Sequence, residues 1–364
     1  MPKRLVVCCD GTWNRPDQAS GSPTNVSKLA LGVARADGQG ARQLLFYQRG
    51  VGTRRFERLR GGVFGFGLSR NVQDCYRFLV KSYEPGDELY FFGFSRGAFT
   101  ARSTVGLVRN SGILRREHVN RIDEAYSLYR LRESQTHPTG IEAQIFRRMY
   151  SHEGTEEDIH FIGVWDTVGS LGIPLGIPLA LPFVNRRWGF HDTTLSSHVR
   201  FAYQALAIDE RRKPFRPTVW KQQPDATGQT LEQVWFAGMH SDVGGGYPEP
   251  ELAEIALLWM VERARAAGLQ FEPDQFVVDS GAIEAGRRRL GKNVAPDALG
   301  TIHESYEGMY RLAGPNERAL REPDESAVAS SAVRRTRERT DYARPALDEY
   351  LGDGGRIVEV RDST

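Results

Sequence analysis

Four short apolar runs, each ending in a polar residue able to do chemistry, constrain this chain more than any other feature. Leu5 to Cys9 (LVVCC) leads into Asp10-Gly11-Thr12, Glu88 to Phe92 (ELYFF) into GFSRGAF, Ile159 to Trp165 (IHFIGVW) into Asp166, and Val234 to Gly238 (VWFAG) into Met239-His240. Unbroken runs of this length suit strands covered on both faces, and the helix-like stretches between them suit the crossovers of a parallel sheet. Helices are expected over Asn71 to Tyr83, Ala98 to Asn110 and Glu251 to Ala267; in the last, Leu252, Ile255, Trp259 and Ala266 fall near helical spacing. The pattern is that of an α/β fold with a mainly parallel central sheet. Ligands of such sheets bind at the carboxyl ends of the strands, so the four polar ends are expected to share one side of the molecule.

At 364 residues with 40% hydrophobic content, the chain can bury a large core. Residues 1–310 are expected to form one catalytic domain, and 311–364, rich in mixed charge (RRTRERTDYARPALDEY), a solvated appendage of it. Lys+Arg 48 against Asp+Glu 46 leaves a net charge of +2, which argues against a nucleic-acid partner. Cys8, Cys9 and Cys75 cannot form a closed disulfide framework, so reduced thiols and a cytoplasmic place of synthesis are expected. The start MPKRLVVCCD has too short an apolar run for a signal peptide or a membrane span. The apolar stretch 171–184 (LGIPLGIPLALPFV) is also too short to cross a bilayer and is broken by Pro174, Pro178 and Pro182.

Residues 93–97 read Gly-Phe-Ser-Arg-Gly, between an apolar run and a stretch that can be helical. This is the setting of a nucleophile elbow, a sharp strand-to-helix turn that projects a serine. The glycines have a steric reason: a side chain on Gly93 or Gly97 would collide where strand and helix approach, while Ser95 is held in a strained conformation. The Arg96 N–H then becomes one oxyanion donor at the helix N-terminus. The same string also fits a plain tight turn with Ser95 as a helix cap, a reading that needs no partner histidine.

A serine hydroxyl needs a base, and eight histidines are on offer. His118, His137 and His152 lie in polar surroundings, His160 starts a strand, and His191 and His198 flank a polar stretch. His240 follows a strand and precedes SDVGGGY, whose glycines let the backbone come close, which makes it the best base with His303 as runner-up. Asp166 is the matching acid, with Asp242 as competitor, and the order Ser95, Asp166, His240 is that of α/β-hydrolases. Gly11 or Thr12 would supply the second oxyanion donor, with Asp10 fixing their loop by accepting backbone hydrogen bonds.

Taken together, DGTWN, GVGT at Gly50 to Thr53, GDELYFFGFSRGAFTAR, GVWDTVGSLGIP and WFAGMHSDVGGGY resemble the family of type VI secretion phospholipase effectors of the first lipase class, long described as a domain of unknown function. The resemblance spans roughly Arg4 to Tyr247. It implies an α/β-hydrolase-like three-layer fold, Ser95, Asp166 and His240 at the family's serine, aspartate and histidine motifs, and action on ester bonds of phospholipids in its toxin members. It also implies a lipid or other ester substrate, export by a specialised secretion system, and an immunity or delivery partner if the chain is a toxin. No cofactor is expected for a serine esterase. The 171–184 stretch, just past Asp166, would serve as an acyl-binding wall or a peripheral membrane contact, or equally as an ordinary buried crossover.

Two other classes compete. A metal-dependent phosphoesterase would gather Asp10, Asp166, His240 and Asp242 around a divalent ion. A binding module would keep the fold without chemistry. The Gly61 to Gly67 run lacks the Gly-Lys-Ser/Thr ending of a phosphate loop and carries no nucleotide reading.

Overall fold

The computed structural model describes residues 2–11, 22–50, 63–131, 133–155, 159–169, 194–224, 226–279, 292–321 and 326–362. Thr12, the 51–53 part of the GVGT motif, Gly61, Gly62, His191 and the 171–184 stretch lie outside them, and the side chains of 63–66 are likewise not described.

The four apolar runs are strands: β1 (Arg4–Cys9), β3 (Glu88–Phe94), β4 (Ile159–Trp165) and β6 (Thr230–Phe236). Between them lie β2 (Gln43–Gln48) and β5 (Val199–Ala207), and β9 (Ala327–Ala329) and β10 (Ile357–Val358) follow near the end of the chain. These eight strands form one sheet in the order β10-β9-β6-β5-β4-β3-β1-β2, parallel throughout. A separate parallel pair joins β7 (Val277–Val278) to β8 (Asn293–Val294).

Alternation along the strands divides the core between two faces. Val6, Cys8, Tyr90, Phe92, Phe94 and Trp165 pack with α1 (Asn25–Gly32) and α7 (Glu251–Ala266). Leu5, Val7, Leu89, Phe91, Ile162 and Val164 pack with α2 (Val63–Ser82), α3 (Arg96–Ser111), α4 (Ile122–Arg130) and α5 (Ile141–Tyr150). The result is a three-layer α/β-hydrolase-like fold. Helix α2 shows how sequence sets this up: Val72, Cys75, Tyr76, Leu79 and Val80 recur on one helical face, and all are buried.

The C-terminal residues build a third part of the core. Leu320, Val328, Ala332, Tyr342, Leu347 and Tyr350, from β9, α8 (Ser330–Glu338), α9 (Pro345–Gly352) and the turns around them, pack on Leu206 and Trp235 of β5 and β6. Most charged side chains there are exposed, but Arg335 is buried and donates to the carbonyls of Ala298 and Gly300.

The register brings the strand ends level. Cys9 pairs with Gly93, Phe94 with Trp165, Trp165 with Ala205, and Ala207 with Phe236. Asp10, Ser95 and Asp166 therefore emerge along one edge, and α6 (His240–Gly244) begins at the same edge, four residues past β6. Strand β1 has β2 on one side and β3 on the other, so the order of the strands reverses beside Asp10 and Ser95. Such a reversal opens a crevice above a parallel sheet.

Candidate active site

Ser95 occupies the N-cap position of α3 with φ 57° and ψ −121°, yet its side chain makes no cap hydrogen bond. The plain helix-cap reading of GFSRG thus lacks its defining contact. Three described non-glycine residues have positive φ, and two of them are Ser95 and Asp166 (φ 37°). Backbone strain of about 1–3 kcal/mol persists only where surrounding structure over-determines it. Here the surroundings are tight: a Cβ on Gly93 would stand 2.6 Å from Ala98 Cα, so strand and helix touch at the turn. Arg96, the first residue of α3, carries its N–H at the helix N-terminus, where backbone donors lack intrahelical partners. Burial lowers the pKa of its guanidinium to about 10, against the opposing influence of Tyr310.

Asp166 and His240 meet. His240 Nδ1 lies 2.6 Å from Asp166 Oδ2, and both side chains are buried. An ionised carboxylate can only accept, so Nδ1 is the donor of this bond. Ser95 stands next to Asp166 through the ladder, its N–H donating to the Trp165 carbonyl at 3.1 Å. The His240 ring packs on Phe94, the residue before the serine, with centroids 4.6 Å apart, and edge-on against Phe215 at 5.0 Å. The glycines after His240 allow this approach: a Cβ on Gly244 would enter the Phe94 ring at 2.0 Å.

Two further groups that sequence reasoning missed complete the surroundings. Arg318 grips Asp166 with both terminal nitrogens, Nη1 to Oδ1 at 2.5 Å and Nη2 to Oδ2 at 3.0 Å. Burial alone would raise the Asp166 pKa, but the Arg318 charge and the His240 hydrogen bond outweigh it and hold the carboxyl well below the usual range. Glu210 is buried, accepts from the His240 N–H at 3.4 Å and chelates Arg212, which holds it ionised against its burial. The strand-end rule would have found Glu210, since it closely follows the run FAYQALAI; nothing in the 311–364 composition marks Arg318.

The competing residues are engaged elsewhere, with each other. His303 Nδ1 lies 2.6 Å from Asp242 Oδ1, its N–H donates to Asp242 Oδ2 at 3.1 Å, and its Nε2 lies 3.1 Å from Glu249. The Tyr247 ring stacks on it at 3.8 Å. Asp242 also accepts from the Met239 N–H, which ties this second pair to the start of α6.

Asp10 is buried and holds its loop: it accepts from Gly11 N–H at 2.6 Å, from Thr24 Oγ1 at 2.9 Å and from the Tyr47 hydroxyl. The Gly11 N–H, a candidate oxyanion donor, is therefore turned onto Asp10 in this structure, and the alternative donor Thr12 lies outside the described residues. The four donors of a metal-centred reading do not form one set, because Asp10 and Asp242 each serve separate networks; no group of three or more His, Cys, Asp or Glu is arranged for a metal among the described residues. A cavity of about 680 Å3 lined by Arg102, Tyr129 and Trp220 flanks the later turns of α3 and includes none of Ser95, Asp166 or His240. Among the described residues no helix is long and apolar enough to cross a membrane.

Comparison with known proteins gives this arrangement a context. Residues 3–263 match the sequence family described as T6SS, phospholipase effector Tle1-like, catalytic domain. The uncharacterized protein YEL023C of Saccharomyces cerevisiae (strain ATCC 204508 / S288c) is 29% identical over 242 residues, 61% of this chain and 33% of that protein, so the chain spans about a third of the length of that relative. Among solved structures, the Tle1 effector bound to the VgrG spike from the type 6 secretion system superposes with a TM-score of 0.41 at 18% identity, over 68% of this chain and 52% of that one. An uncharacterized protein from Pseudomonas aeruginosa gives 0.42 at 17% identity, over 79% and 48% of the two chains. A sugar hydrolase, YeeB, from Lactococcus lactis gives 0.36 at 11% identity, over 73% and 91%.

Proposed function

Because this chain belongs to the family of Tle1-like phospholipase effector catalytic domains, we propose that it is a serine hydrolase of carboxylic esters in a lipid, using Ser95, His240 and Asp166. The observation that carries the reading is the buried 2.6 Å contact between His240 Nδ1 and Asp166 Oδ2, at the sheet edge where the strained Ser95 stands. In the proposed reaction His240 Nε2 takes the Ser95 proton as Oγ attacks the ester carbonyl. The Arg96 N–H and the start of α3 stabilise the oxyanion, and the Gly11–Thr12 loop supplies the second donor by turning an amide from Asp10 to the substrate. His240 then protonates the leaving alcohol, and water, deprotonated by the same nitrogen, releases the acyl group from Ser95. Asp166 stays ionised throughout and balances the imidazolium.

The test is hydrolysis of short- and long-chain p-nitrophenyl esters, then of phospholipids, by wild type and Ser95→Ala with and without EDTA. Ser95→Ala is expected to lose at least about 10³-fold in kcat, with EDTA without effect. Undiminished turnover in the variant would refute the serine mechanism, and loss with EDTA would move the chemistry to a metal.

The partners proposed on the same premise are a lipid surface, reached through the apolar 171–184 stretch, and a spike protein of a secretion system that exports the chain from the cytoplasm, with an immunity protein in the producing cell. The apolar composition just past Asp166 motivates the first. Replacing Leu179 and Leu181 by Ser is expected to weaken long-chain ester hydrolysis far more than short-chain; equal losses would reject the acyl-binding role. Co-purification with a spike protein of the same secretion system tests the second, and a clean failure to bind would reject it.

A further inference from the structure

We propose that Arg318 is a positioning residue for the Asp166–His240 pair, an assignment that rests on the acyl-transfer reading above. The Arg318 side chain is 1% exposed and Asp166 0%. Besides its two bonds to the carboxylate, the guanidinium donates from Nη1 to the Ala207 carbonyl at 2.8 Å and from Nη2 to the Phe215 carbonyl at 2.7 Å. Four acceptors on three segments thus fix the plane of the fork. The carboxylate has little freedom left: Oδ1 also accepts from the Ala207 N–H at 3.1 Å, and Oδ2 is shared between Arg318 and His240 Nδ1.

A buried carboxylate needs a counter-charge, and a compact ammonium would meet that need. A planar fork does more, since it sets the rotation of the carboxylate and thereby aims Oδ2 at the imidazole. The Arg318 side chain reaches the site from outside the segment that matches the family, across the ends of β4 and β5. Its charge also enters a balance around His240. Asp166 faces the ring, Glu210 the backbone N–H, Arg212 neutralises Glu210 and Arg318 neutralises Asp166. Its aromatic neighbours among the described residues, Phe94 and Phe215, are uncharged. Loss of Arg318 removes a charge that holds the buried Asp166 carboxyl low, so the pKa of that carboxyl rises and the pair needs a higher pH to work.

The experiment compares the full chain with Arg318→Lys and Arg318→Gln by ester kinetics across about pH 5–9, by labelling of Ser95 with a fluorophosphonate, and by thermal melting. Arg318→Lys keeps the charge and loses the fork: kcat is expected to fall about 10–100-fold with KM nearly unchanged and the acid limb of kcat/KM in place. Arg318→Gln is expected to show the same fall, with the acid limb moved up by about one pH unit. Folded variants with wild-type kcat and pH profile would overturn the proposal, as would loss of fold in both, which would leave Arg318 a structural tie. If Arg318→Gln alone fails to fold, the kcat of Arg318→Lys decides. A wild type that neither labels nor turns over ester overturns the hydrolase reading, and this assignment with it.

Discussion

Gly97 faces the Cys9 carbonyl so closely that a Cβ there would stand 2.1 Å from its oxygen and 2.5 Å from that of Asp10. The first turn of α3 thus rests on the end of β1, and backbone meets backbone, which no side-chain rotation can relieve. Gly97→Ala is expected to cost more than about 3 kcal/mol, beyond the ordinary range of overpacking, read as a shift of the urea midpoint. A loss under about 1 kcal/mol would mean that α3 moves away from β1 without penalty.

Strain at Ser95 predicts a separation of stability from activity. With φ 57° and ψ −121°, a glycine relieves what a serine endures. Ser95→Gly and Ser95→Ala are both expected to be inactive, but the glycine variant should be more stable than the alanine one by about 1–2 kcal/mol in chemical denaturation. Equal stabilities would argue that the elbow is unstrained.

The second histidine–carboxylate pair has its own pH signature. Burial lowers the His303 pKa, but the hydrogen bonds and charges of Asp242 and Glu249 outweigh it, so the folded value lies above that of an ordinary histidine. Its contribution is therefore complete below about pH 6.5 and lost as pH rises through the folded value. Because the ring is partly exposed, the contribution is about 0.5 kcal/mol after screening. Wild type is expected to exceed His303→Gln in stability most at about pH 6 and least at about pH 9. A difference that grows with pH would contradict the pairing.

A chain cut after Ala266 is expected to aggregate. The cut strips β9 from β6, uncovers Trp235 and Leu206, and removes Arg318 from Asp166. An unpaired strand flanked by bare apolar surface invites association with other chains. Size-exclusion chromatography and a thermal melt decide: a monomeric, cooperatively melting fragment would show that the C-terminal core is dispensable.

What could be read in the sequence follows from which signals are local. The strands ending at Cys9, Phe94, Trp165 and Phe236 announce themselves as apolar runs, and the elbow does so through glycines whose spacing has a steric cause. Strand β5 is harder to see, because Arg200 and Gln204 interrupt it, and Gln204 is wholly buried among Thr167, Thr218 and Gln233. Strands β9 and β10, at three and two residues, are too short to carry a period. The charged 311–364 region looks solvated in composition, yet Arg318 and Arg335 are buried, since an arginine that finds enough acceptors can leave water and no local pattern records where those acceptors lie. The sequence ranks His240 and Asp166 ahead of His303 and Asp242, but that the two runners-up pair with each other is tertiary and shows only in the folded chain.

The grip of Arg318 on Asp166 also gives the molecule a timetable. A chain leaving the ribosome presents Ser95, Asp166 and His240 in that order, and Arg318 follows His240 by roughly 4–16 s at about 5–20 residues per second. During that interval the acid lacks its buried counter-ion and the sheet lacks β9 and β10. Maturation of this site thus waits for Arg318 and the two strands beyond it, well after its three proposed reacting residues have emerged.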